Sequence, residues 1–109
     1  MDLVAVRALA LTLPGTTEEP HFDYGSYRVG GKIYVTVPPE GDRIHVFVEE
    51  AAIDAACAAA GVEELWWGQK RLGVRVFLDR ADAATTEALV RAAWRRRAPK
   101  RVVAAFERG

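Results

Sequence analysis

The chain has 109 residues, half of them hydrophobic, and 15 basic side chains balance 15 acidic ones to a formal net charge of zero. That length suits one domain, 1–109, with a core that needs no metal or disulfide to hold it, and the composition excludes a disordered tail, a collagen-like repeat and a disulfide scaffold. Cys57 is the sole cysteine, which excludes an internal disulfide and a cysteine-based structural zinc site.

Asp2 is a suitable N-cap, and Leu3, Val6, Ala10 and Leu13 then recur on one face of an amphipathic helix that Pro14-Gly15 ends. Asp2 stands where a signal peptide would carry a basic region, and Arg7 interrupts the apolar run, so a cytoplasmic protein is expected. No apolar stretch approaches the roughly 18–20 residues that cross a bilayer. The segment TTEEPHFDYGS is rich in turn formers and lacks periodicity, which predicts a loop with one helical turn around Thr17–Glu19. Tyr24–Val29 and Lys32–Val37 read as strands, joined by a tight hairpin at Gly30-Gly31. A third strand is predicted over Arg43–Val48, where Ile44, Val46 and Val48 alternate with His45 and Phe47.

Glu49-Glu50 place negative charge at the start of an Ala-rich helix running to Ala60 and stopping at Gly61. Glu64–Gly68 is a short apolar strand with two tryptophans, Gln69–Leu72 a basic turn, and Gly73–Leu78 the last strand. Asp82 opens a helix containing Leu89, Val90, Ala93 and Trp94, Pro99 breaks it, and Lys100–Glu107 forms a short final helix. The expected fold class is α+β: a two-layer sandwich of order α-β-β-β-α-β-β-α with one mostly antiparallel five-stranded sheet.

The zero net charge conceals a split. Residues 1–69 carry four basic and eleven acidic side chains, net −7, whereas residues 70–109 carry eleven basic and four acidic, net +7. Such asymmetry points to a nucleic-acid or acidic-partner surface, or to pairing of one half of the domain with the other. Two cationic groups stand out: Lys70-Arg71 with Arg75 at a hairpin, and Arg91, Arg95, Arg96, Arg97, Lys100 and Arg101 around the end of the third helix. Either could neutralise phosphates without reading bases, and either could equally be a solvated turn or a set of helix-terminal cations.

Four segments together, LALTLPGTTEEPHF, YRVGGKIYVTV, VRVFLD and ALVRAAWRRRAPKRVVAAF, resemble the MmcQ/YjbR family of small bacterial proteins. The resemblance spans nearly the whole chain and carries no catalytic signature. It implies an α+β domain similar to a double-wing transcription-factor domain, from which DNA binding is expected, and similar also to secretion chaperones, which bind proteins. One departure is visible: members of the family often have a Gly-Trp pair entering the last strand, where this chain has Leu72-Gly73 and carries Trp66-Trp67 upstream.

No nucleophile motif accompanies His21, although Glu18 and Glu19 lie beside it, and His21 with His45 makes only a weak metal signal. Gly30-Gly31-Lys32 joins two strands and lacks the length of a phosphate loop. Cys57 reads as a small buried hydrophobe, and the tryptophans as core residues or as stacking platforms for bases. The expectation is a non-enzymatic module without metal or cofactor that touches DNA through Lys70, Arg71, Arg75, Arg91, Arg95, Arg96, Arg97, Lys100 and Arg101. The alternatives are a chaperone-like homodimeric protein-interaction module, or a small-ligand site where Glu18, His21 and Lys32 converge.

Overall fold

The computed structural model describes residues 1–109 as four helices and one antiparallel sheet. Helix α1 covers Leu3–Thr12, and the Asp2 carboxylate caps it by accepting the Ala5 amide at 2.9 Å. Val6, Ala10 and Leu13, the stripe read from the sequence, are all buried.

The sheet has six strands, one more than the sequence suggested, in the order β1-β2-β3-β4-β6-β5. The added strand is β1, Thr16–His21, where a loop with a helical turn was expected. It pairs along its whole length with β2, Tyr24–Val29, from Thr16 opposite Val29 to His21 opposite Tyr24. As an edge strand it carries four exposed residues in a row, so no alternation of apolar residues announces it. Its Pro20 and two glutamates are the features that keep an exposed edge from pairing with other chains.

Strand β3, Lys32–Val37, returns from β2 through Gly30 and Gly31 at φ 59° and 77°, the left-handed pair that a two-residue hairpin turn needs. An irregularity opposite Tyr27–Arg28 leaves Tyr34 as the extra residue of β3, and its fully buried ring reaches Thr16 through a 2.8 Å hydroxyl–hydroxyl bond. Strand β4 stops at Val46, two residues earlier than predicted, because Phe47 leaves the β4–β6 ladder to bond the Tyr34 carbonyl.

Helix α2, Glu50–Cys57, also ends earlier than predicted, since Ala58 onward turns toward β5, Val62–Trp67. The β5–β6 hairpin turns at Gly68-Gln69, so Lys70–Leu72 belong to β6, Lys70–Phe77, and not to a basic turn. Asp82 caps α3, Ala83–Arg97, by accepting the Thr85 amide at 2.7 Å. After Pro99, α4 covers Lys100–Arg108 and buries no residue fully. No helix is long and apolar enough to cross a membrane.

Register fixes which face each strand residue occupies. Tyr27, Val35, Val46, Val74 and Glu64 stand in one row across the sheet, and this face carries the core with Val6, Ile53, Val90, Ala93 and Trp94 of the helices. The neighbouring row, Glu19, Ser26, Thr36, His45, Arg75 and Glu63, turns to the other face. Helices α1, α2 and α3 all pack on the core side. The second face is left open.

Candidate nucleic-acid interface

Two hollows meet on the open face. The first is an apolar trough of about 570 Å³, walled on one side by His21, Phe22, Asp23 and Tyr24 at the β1–β2 turn. Leu65, Trp66 and Trp67 of β5 wall it on the other side, and Thr36, His45, Phe47 and Leu72 form its floor. Its rim rings face water: Phe22 is 92% exposed, Trp67 78% and Trp66 53%. Phe22 also sits at φ 59°, the one non-glycine residue in the left-handed region, where a bulky side chain is disfavoured. The positive φ belongs to the two-residue turn Phe22-Asp23 that joins β1 to β2, and it holds this ring at the trough rim instead of in the core.

The second hollow, about 580 Å³, shares His21, Thr36, Phe47 and Leu72 with the first and adds Arg28, Lys32 and Arg97. No carboxylate lines it. Arg28 is held by neutral groups alone, donating to the Ser26 hydroxyl at 3.2 Å and the Pro20 carbonyl at 3.4 Å. Arg96 donates to the Phe47 carbonyl at 3.0 Å, and Arg97 comes next to it at the end of α3. The Arg97 Nε–H is buried without a partner, and burial together with the Arg96 charge lowers the pKa of this guanidinium. A cation that is partly desolvated, crowded by a like charge and short of an acceptor is stabilised by an incoming anion.

The expected basic platform is not continuous. Arg71 lies on the helix side, 14% exposed, and donates to Asp54 at 2.6 Å, Glu64 at 2.8 Å and Glu50 at 3.0 Å. These three carboxylates raise its pKa further. Arg75 faces Glu63 at 3.7 Å, Arg91 pairs with Glu87 at 2.9 Å, and Arg95 with Glu107 at 2.7 Å. Much of the positive charge of the second half is thus neutralised by carboxylates of the same chain. Lys70, Arg96, Arg97, Lys100 and Arg101 have no carboxylate within ion-pair distance, and Lys70, Arg96 and Arg97 line one further hollow with Phe47, Leu72 and the Arg71–Glu50 pair.

Of the proposed small-ligand trio, His21 and Lys32 share the cationic hollow, whereas Glu18 turns to the opposite face. There it accepts from Arg7 at 3.0 Å and from the Tyr27 hydroxyl at 3.1 Å, and burial with this carboxylate pushes the Tyr27 phenol up to about 12. No group of three or more His, Cys, Asp or Glu side chains is placed to hold a metal.

His45, on the trough floor 6.0 Å from the Tyr24 ring, has its pKa lowered from the ordinary 6.5 by burial and then by Arg75 and Arg43. The unfolded chain therefore takes up this proton at higher pH than the folded one, and stability falls as pH drops below about 6.5. Thermal melts from pH 7 downward should show that loss, and His45→Gln should flatten it. An unchanged slope in the variant would contradict the assignment.

Arg28, Phe22, Tyr24, Phe47 and Leu72 are among the lining residues that carry no functional signal in the sequence. Phe47 was within reach, since it occupies an outward position in the alternation of Ile44 and Val46. Leu72, at the Leu72-Gly73 departure, supplies part of both floors.

Fold and face together define a helix-backed antiparallel-sheet domain whose uncovered side offers aromatic and cationic groups side by side. The sequence pattern of the YjbR family matches residues 11–96, and the chain belongs to that family. No curated protein and no solved structure matches it.

Proposed function

We propose that the protein is a non-enzymatic nucleic-acid-binding module that receives the phosphate backbone in the hollow of Arg28, Lys32 and Arg97. The observation that supports this most is the grouping of three cations with no carboxylate among them, in a chain that pairs several of its other arginines internally. Arg96 and Lys70 extend the positive rim toward the β5–β6 hairpin, and Lys100 and Arg101 add exposed charge beyond Pro99. Contacts of this type position a backbone without reading its sequence, and they weaken steeply with salt.

The test is a titration of labelled oligonucleotides, duplex and single-stranded, at about 50 mM and about 200 mM salt. Arg97→Glu should weaken binding about ten-fold or more at low salt and reduce the salt slope by about one. Arg91→Gln, whose side chain is already paired with Glu87, should leave binding unchanged. No binding of either form at low salt, or equal losses in both variants, would overturn the reading.

A further inference from the structure

We infer that the ligand of this face is a single strand, whose unpaired bases stack in the aromatic trough while its phosphates occupy the adjoining cationic hollow. This rests on the nucleic-acid reading and goes past it, because phosphate contacts alone do not distinguish a duplex from a strand.

The trough and the hollow adjoin, with His21, Thr36, Phe47 and Leu72 in both linings, so one extended ligand can reach both. What fits them is a chain in which flat, apolar groups alternate with anions at short spacing. The rim rings, Phe22 on one hairpin and Trp66 and Trp67 on the other, stand on opposite sides of the trough. Aromatic side chains can use the faces of bases only where those faces are not already stacked within a duplex. Charge is complementary as well: Asp23 is the one carboxylate that lines the trough, and the hollow has none.

A duplex read in its major groove would need a free helix or a projecting two-stranded ribbon. Helix α3 is not free for that, since Arg91 and Arg95 are engaged by Glu87 and Glu107 and its apolar side is buried. Phe22, in the two-residue β1–β2 turn, keeps its ring in water at the trough rim.

The experiment compares an oligothymidine of about twelve nucleotides with a duplex of the same length and with an abasic deoxyribose-phosphate strand, at about 50 mM salt. The oligothymidine should bind about ten-fold more tightly than either and should quench tryptophan fluorescence. Trp67→Ala should weaken oligothymidine binding about ten-fold and leave the abasic strand unaffected. Phe22→Gly should do the same while raising the melting temperature by a few degrees, which separates loss of a contact from loss of the fold. If the duplex or the abasic strand binds as tightly as oligothymidine, or if removing the rings changes nothing, the stacking inference fails and the phosphate reading stands. If no nucleic acid binds, and light scattering shows a dimer that Trp67→Ala dissociates, both fail and the trough is a protein interface.

Discussion

Trp94→Ala should lower the unfolding free energy by about 3–5 kcal/mol, measured by urea denaturation followed by circular dichroism. Trp94 is the largest fully buried side chain, 1% exposed, on the inner side of α3. Its indole N–H donates to the Pro14 carbonyl at 2.9 Å, tying α3 to the chain just after α1. Its ring also meets Phe106 edge-on at a centroid distance of 5.2 Å, which gives α4 a foothold on the domain. Alanine would leave a large cavity, an unpaired carbonyl and a loosened final helix. Trp94→Phe should cost much less, because most of the apolar volume stays and one hydrogen bond, worth about 1 kcal/mol, goes. Equal losses in the two variants would contradict this division.

Gly73→Ala should cost about 3 kcal/mol or more, although it adds a single methyl group. The chain leaving β4 crosses so near Gly73 that a Cβ would lie 2.1 Å from the Val46 carbonyl oxygen and 2.9 Å from the Phe47 Cα. Both obstacles are backbone, so β4 and β6 would have to separate. Phe47 would move with them, and binding in the trough should fall along with stability. A loss below about 1 kcal/mol in chemical denaturation would contradict the close crossing.

The two glycine effects in this domain differ in how legible they are. Gly30-Gly31 announces a hairpin because it stands between two alternating runs, and the structure places the turn there. Gly73 announces nothing, because the backbone it accommodates belongs to a strand that precedes it by a whole helix and hairpin. The same distinction runs through the elements. Helix α1, strands β2 and β3, and the Asp82 cap carry local signals: periodicity, turn glycines, a capping carboxylate. Strand β1 carries none, since an edge strand with water on most of its side chains is made by pairing with β2 and not by its own pattern.

The open face was legible only in part for a similar reason. The charge split between the halves is real, but which arginines remain available depends on contacts far apart in sequence. Arg71 meets Glu50, Asp54 and Glu64 only because β6 lies under α2 and beside β5. Arg97 and Lys32, separately visible as cations, become one feature only when the end of α3 arrives beside the start of β3. Arg28 was missed because an arginine alternating with Tyr27 and Val29 reads as an ordinary solvent-facing strand residue. Phe22 was missed because an aromatic in a turn has no pattern to belong to.

These placements give the domain a division of labour. Internal ion pairs hold the helix side, the outer surface of α3 and Arg75 with Glu63, while the hollow of Arg28, Lys32 and Arg97 has no carboxylate and the trough keeps its rim rings in water. The most direct measurement is a backbone amide shift map of the isotope-labelled protein titrated with oligothymidine. The account predicts that the largest changes fall on His21–Tyr24, Phe47, Trp66–Leu72 and Arg97, with α1 and the Arg91 turn of α3 unaffected. Changes confined to the helix side, with a silent open face, would contradict it.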